Sequence, residues 1–293
     1  MASSVSGSCL CGAVTFEIAP PYRWFAHCHC SMCRKQHGTL LGTGLGVAAE
    51  RFRWVTGEDA VVHYRATAAF ERPFCAQCGS AVPARSHEPG TWHVPAGLIA
   101  GDVGARPRSH IFVASKSPLY TIADALPQYA EYPPDIALRA AEAPKTAAST
   151  SGVRGSCLCG AVAFESAATP RRVVSCYCSL CRRRSGAGFA STLFVAIDPF
   201  HWRSGQERVR RYALPAPRSY AADFCAACGS PVPLVMAGSP FAMLPAGAID
   251  TPLPALPAVH LYVDSKATWC EIGGAGEQFA ELPPRERFTE LFG

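Results

Sequence analysis

No apolar run in this 293-residue chain reaches the roughly 18 residues that a membrane-spanning helix needs, so no membrane partner is expected. Charge is also scarce. Asp, Glu, Lys and Arg supply 17% of the residues, and the net charge of +5 is shared evenly between the halves. With no basic tail or charged block, the electrostatic footprint of a nucleic-acid binder is missing. The opening residues, Met-Ala-Ser-Ser-Val-Ser-Gly-Ser, hold neither a basic stretch nor an apolar core. A secretory signal is therefore not expected, and the economical reading is a cytoplasmic protein with reduced cysteines. With 25 Gly and 25 Pro, long helices are poorly served, whereas short strands joined by turns fit well.

Cysteine is the residue in excess, with 15 copies. All but Cys270 fall into two matching series. Residues 7–16 read GSCLCGAVTF and residues 155–164 read GSCLCGAVAF. A second cluster follows each at the same interval: Cys28, Cys30 and Cys33, then Cys176, Cys178 and Cys181. In the third cluster, Cys75 and Cys78 match Cys225 and Cys228, each pair followed by Gly-Ser. The offset is 148 residues for the first two clusters and 150 for the third, so the second copy has two extra residues in between. Such regularity marks a tandem duplication. Its copies are placed at 1–137 and 153–293, with the Ala-, Ser- and Thr-rich stretch 138–152 as a linker. Alternating segments at 13–18, 51–55, 61–64, 92–95 and 110–113 predict strands, and Ser31–Gln36 predicts a helical turn. Each copy is expected to be all-β with little other helix.

Reduced cysteines at short spacings point to metal rather than to disulfides. Structural zinc takes four thiolates in two short pairs, and pairs distant in sequence staple the chain between them. Cys9 and Cys11 with Cys75 and Cys78 make one such set, and Cys157, Cys159, Cys225 and Cys228 make its twin. The remaining Cys28, Cys30 and Cys33, and likewise Cys176, Cys178 and Cys181, give three ligands and an open fourth position. That is the usual layout of a catalytic zinc. The expectation is two zinc ions per copy and four per chain. Zinc held by three thiolates is anionic, which suits a soft fourth ligand such as a substrate thiolate better than it suits water. A histidine completing the first triad (His27, His29 or His37) is the alternative, but the matching residues in the second copy are Ser175, Tyr177 and Ser185.

The combination of GSCLCGAV, CHCSMCRKQHG, FCAQCGS and SKSPLYTIADALPQY resembles the glutathione-dependent formaldehyde-activating enzyme family, which includes centromere protein V. The resemblance covers nearly the whole chain twice over, the linker excepted. It implies tandem β-tent zinc domains and a carbon–sulfur lyase that joins glutathione and formaldehyde, or a related electrophile, into S-hydroxymethylglutathione. It also implies structural zinc on the outer four cysteines, catalytic zinc on the middle three, and glutathione as co-substrate. Both copies depart from the family pattern. The first has Pro118-Leu119-Tyr120 where Pro-Trp is usual, and the second has Tyr177 for His29 and GGAGEQFAELPP for the LPQY tail. The first copy is the better match. A zinc-stabilised binding module, or one active copy beside a structural one, are the alternatives.

Glutathione carries two carboxylates and an ammonium, so cations near the triads are wanted. Arg34, Lys35, Arg182 and Arg183 follow the triads directly, and Lys116 and Lys266 recur at the same offset. These are the candidates for glutathione contact, with ordinary solvated charge as the plain alternative. His29 is expected to hydrogen-bond beside the thiolates, and His110 and His260 to be either core or site residues. Trp24, Trp54, Trp92 and Trp202 are expected in the core. Cys270 is expected to be a plain thiol. The two copies are expected to pack as an intrachain pseudo-dimer.

Overall fold

The computed structural model describes residues 4–134, 136, 152–216 and 220–292, and the expected linker lies almost wholly outside them. In the first copy the chain runs through β1 (Val5–Ser8), β2 (Thr15–Ile18), β3 (Trp24–Cys28), α1 (Ser31–His37), β4 (Gly42–Ala48), β5 (Phe52–Thr56), β6 (Val61–Val62), β7 (Phe74–Cys75), β8 (Ala84–Arg85), β9 (Thr91–Pro95) and β10 (Ser109–Ile111). β1, β2 and β5 form one antiparallel sheet. A second sheet has the order β10-β3-β4-β9-β8, with β10 parallel to β3. β2 alternates as its sequence dictates, with Phe16 and Ile18 buried and Thr15 and Glu17 partly exposed. The Phe16 ring lies over Gly7, where a Cβ would come within 2.2 Å of it; Gly155 and Phe164 repeat the arrangement.

The second copy runs through β11 (Val153–Ser156), β12 (Ala163–Ser166), β13 (Val173–Cys176), α2 (Ser179–Ser185), β14 (Ala190–Ala196), β15 (Phe200–Ser204), β16 (Val209–Ala213), β17 (Ala221–Cys225), β18 (Leu234–Val235), β19 (Phe241–Pro245), β20 (Ala258–Leu261), β21 (Gly276–Phe279) and α3 (Arg285–Phe292). Its registers repeat those of the first copy: Ala26 pairs with Gly44 and Ser109, and Val174 with Thr192 and Val259. The molecule is mostly strand, as the sequence implies, with instructive differences. The strand expected over 110–113 stops at Ile111 because Phe112 turns into the left-handed region (φ 58), and Tyr262 does the same (φ 57). The second copy's unusual tail still supplies β21, parallel to β20 with Gln278 opposite His260, just as Gln128 lies opposite His110. Helix α3 was not expected. It follows Pro283-Pro284, residues that start helices well because they need no N–H partner there.

Each cysteine-bearing helix packs on a turn of the other copy: α1 on residues 246–248, and α2 on residues 96–98. The backbones approach closely enough for Gly97 N–H to donate to Gly186 O at 3.0 Å. One apolar core runs through both copies, with Phe25 against Trp269 and Tyr120 stacked on Phe189. The Lys35 ammonium on α1 is buried and pairs with Asp250 at 2.7 Å, and it also donates to Ser156 Oγ at 2.7 Å. His37 Nδ1–H donates to Ser185 O at 2.5 Å.

Candidate metal centres and substrate cleft

The turn after β1 and the turn after β7 bring Cys9, Cys11, Cys75 and Cys78 together, with all sulfurs within 4.8 Å of one another. Cys9–Cys11 and Cys11–Cys75 sulfurs are 3.4 and 3.7 Å apart, and the corresponding pairs in the second copy 3.4 and 3.8 Å. Four sulfurs about 2.3 Å from a tetrahedral zinc would be about 3.8 Å apart, so both sets fit that ion. Backbone N–H groups reinforce the sites: Val14 donates to Cys9 Sγ and Val162 to Cys157 Sγ, each at 3.3 Å. Gly79 and Gly229, both at φ 70, make the sharp turn after the second pair possible.

Each triad forms where a strand runs into a helix. Cys28 ends β3, Cys30 caps α1 by accepting Cys33 N–H at 3.4 Å, and Cys33 lies in the first turn. Cys176, Cys178 and Cys181 repeat this at β13 and α2. Hydrogen bonds from Cys28 and then Cys30 hold the Cys33 thiol well below the usual range, while those with Cys30 and Cys33 push Cys28 well above it. In the second copy Cys178 is the low one, at about 3, through bonds from Cys176 and Cys181.

Cys28, Cys30 and Cys33 line a cleft of about 860 Å³, together with Arg23, Arg72, Arg85 and Arg108. Arg23 pairs with Glu88 at 2.9 Å, the Arg85 guanidinium lies 4.0 Å over the Trp92 ring, and Arg108 donates to Arg23 O at 2.8 Å. Arg72 reaches the triad itself: Nη2 is 3.7 Å from Cys33 Sγ, and Nη1 donates to Gln36 Oε1 at 2.9 Å. Burial works to lower its pKa, but the charges of Cys33, Cys30 and Cys28 outweigh that and raise it. Glycine on β4 keeps the cleft open, since a Cβ at Gly44 would sit 2.4 Å from the His93 ring. Trp24, expected in the core, is half-buried and lines this cleft, with Nε1–H donating to Glu88 at 3.2 Å.

The six cations singled out from the sequence lie elsewhere, and none lines the cleft. Arg34 donates to His29 O at 2.8 Å and to Ser115 O, and Arg182 donates to Tyr177 O and Ser265 O, both at 3.2 Å. Lys35 is held by Asp250, and Lys116 donates to Tyr120 O at 2.7 Å. Arg183 and Lys266 are partly buried in the second copy. Helical geometry explains the result for α1: residues next to Cys33 point away from its face. Behind the triad, His110 Nε2–H donates to Asp124 at 3.0 Å, and His29 Nε2–H donates to His110 Nδ1 at 2.8 Å. His27 stacks on His110 and bonds Thr43 at 2.9 Å. Burial holds both His27 and His29 neutral, lowering the pKa of each to about 3.

The second copy is different where it matters. Ala222, Val235 and Ala258 stand at the positions of Arg72, Arg85 and Arg108, and Met243 at that of His93. Val174, Val259 and Leu261 form an apolar floor on which Leu291 and Phe292 of α3 pack. Phe194, at the position of Gly46, meets the Phe292 ring at 5.0 Å. Tyr177 bonds His260 Nδ1 at 3.1 Å in place of the His29–His110 pair. No local motif marks the cleft arginines, but the comparison of the two copies singles them out.

Comparison with known proteins gives a consistent result. Residues 4–115 and 152–265 each match the family described as glutathione-dependent formaldehyde-activating enzyme. A Halomonas elongata protein, provisionally named as such an enzyme, is 35% identical over 85 residues, which are 27% of this chain and 54% of that protein. The chain thus spans about half the length of the curated relative it matches. A crystal structure of a Rhodobacter sphaeroides protein matches 35% of this chain and 92% of its own, at 24% identity and a TM-score of 0.27.

Proposed function

The chain belongs to the glutathione-dependent formaldehyde-activating enzyme family, and from that premise we propose that its first copy is a carbon–sulfur lyase. It joins glutathione to formaldehyde, or to a related aldehyde, as an S-hydroxyalkyl adduct, and runs the reverse reaction equally. The observation that carries this reading is the three-cysteine loop opening into the arginine-lined cleft. Cys28, Cys30 and Cys33 would hold the open zinc, which would favour the thiolate form of a bound thiol. Cys9, Cys11, Cys75 and Cys78, with Cys157, Cys159, Cys225 and Cys228, would hold structural zinc, and Cys176, Cys178 and Cys181 a fourth ion.

Arg85 and Arg108 have no carboxylate partner among the described residues and suit the two carboxylates of glutathione. Glu71 and Glu88 in the same cleft suit its ammonium. The second copy serves a structural role, packed on the first as an intrachain pseudo-dimer. The loss of three cleft arginines and the seating of α3 on its floor support that division.

The test is NMR exchange between free formaldehyde and its glutathione adduct, with zinc-loaded protein and the variants Cys30→Ser and Cys178→Ser. Acceleration lost in Cys30→Ser but kept in Cys178→Ser is the expected result. No acceleration by fully zinc-loaded protein would exclude formaldehyde as the substrate.

A further inference from the structure

Arg72 is placed three residues before Cys75, so the four-cysteine cluster that anchors β7 also fixes where this side chain starts. From there it reaches across to the other cysteine site, with Nη2 against Cys33 Sγ at 3.7 Å. Gln36, on the same helix as Cys33, accepts from Nη1 at 2.9 Å and sets the plane of the guanidinium. Its Nε is buried with no hydrogen-bond partner among the described residues. A guanidinium has more donors than these two contacts use, and it lines the cleft beside the three sulfurs. Each Nη atom carries two N–H groups and makes one contact here, so the donors left over at the cleft are the ones an acceptor arriving with the substrate can meet.

We propose that Arg72 is a catalytic residue of the first copy, donating to the carbonyl oxygen of the aldehyde as the glutathione sulfur bonds to its carbon. The inference rests on the lyase reading and goes beyond it by naming the group that meets the oxygen. In the forward step a sulfur lone pair forms the C–S bond, and the C=O π pair moves onto oxygen. That oxygen, held by Arg72, takes a proton from water and becomes the hydroxyl of the adduct. The reverse step returns the proton to water and the C–S pair to sulfur. Donors fixed where negative charge develops are the strongest single device for such steps. The second copy is an internal contrast: Ala222 occupies the equivalent position, and the group near Cys181 is the Tyr220 phenol.

The bland account of Arg72 is a counter-ion that only keeps the anionic cysteine site metallated. Arg72→Lys and Arg72→Met separate the two, read by zinc content per chain, glutathione affinity by calorimetry, and adduct exchange per bound zinc. The expected outcome is a loss of about a hundredfold in exchange per bound zinc, with glutathione affinity changed less than about threefold. Arg72→Lys, which keeps the charge but not the fork, should still lose most of the rate. Exchange per bound zinc that stays at the wild-type value in both variants overturns the proposal, even if total activity falls with zinc. Wild-type protein that does not accelerate exchange sinks the lyase reading itself, and this inference with it.

Discussion

Gly247 lies in the turn of residues 246–248, where the second copy meets α1 of the first. A Cβ built there would sit 2.1 Å from Arg34 O, 2.4 Å from Thr39 O and 2.6 Å from Thr39 N. All three are backbone atoms, so no side chain can swing away. Gly97 mirrors the contact, with a Cβ 2.1 Å from Ala187 O and 2.7 Å from Arg182 O. Neither glycine has a positive φ, so the only obstacle to alanine is the opposing backbone. If the copies did not meet here, Gly247→Ala would stabilise the protein by about 0.5 kcal/mol, because alanine restricts the unfolded chain. With the contact, the substitution forces α1 away and costs about 3 kcal/mol, the upper end for overpacking. For a chain of this size that lowers Tm by roughly 6 °C. Calorimetry at saturating zinc measures it, and Gly97→Ala should show a loss of the same size. An unchanged or raised Tm for Gly247→Ala would refute the packing of α1 on this turn.

Two further substitutions test the buried charges. Asp250→Ala strands the Lys35 ammonium, whose side chain is only 9% exposed, and should cost about 3 kcal/mol in chemical denaturation. Lys35→Met should cost less, because it removes the buried charge and leaves Asp250 bonded to Ser156 Oγ at 2.6 Å; equal costs would refute the reasoning. Burial, with Arg72 next, lowers the pKa of His93 to about 3. The unfolded chain takes that proton near pH 6.5, so between pH 6.5 and about 3 the unfolded state binds more protons and stability falls as pH falls. The slope from this group is about 1.4 kcal/mol per pH unit, and His93→Gln should remove it; a denaturation series with the same slope in both proteins would contradict the assignment.

The cysteine sites were legible in the sequence because metal chemistry imposes short spacings on the ligands. The duplication made the pattern readable twice, and α1 was legible as a turn after Cys30. The cations of the cleft were not. Arg72 precedes β7, which pairs with β6 in a small separate sheet, while Arg85 and Arg108 stand at β8 and β10 on opposite edges of the five-stranded sheet, so only the tertiary fold brings them to one cleft. Proximity in sequence pointed instead to Arg34 and Lys35, which the helix turns toward the loop backbone and the other copy. A signal was available nevertheless. Where the copies keep their cysteines but differ in arginine, as at Arg72 and Ala222, a property other than metal binding has changed. Helix α3 was also announced by the paired prolines ahead of an amphipathic octet, but the expectation of all-β copies with little helix placed no helix there.

The pattern of what the second copy keeps and loses follows from what each group contributes to stability. Its four-cysteine set and its triad hold turns on which the fold of both copies depends, because α2 rests on residues 96–98 of the first copy. Arg85 and Arg108 are exposed, so their contacts add little to the stability of the fold, and only Arg72 is partly buried, where the charge of the cysteine triad offsets its desolvation. Ala222, Val235 and Ala258 in their place therefore cost the second copy little and leave it no cation there to meet an anion. Covering the floor adds a gain: a fully buried Leu or Phe side chain is worth about 1.5–3 kcal/mol, and Leu291 and Phe292 are both buried on Val174, Val259 and Leu261. The same exchange in the first copy would fill the cleft and leave the Cys28 triad without access. Phe194 and Gly46 mark the difference most plainly, since one packs α3 against the sheet, and at the other a Cβ would lie 2.3 Å from the Trp24 ring at the cleft.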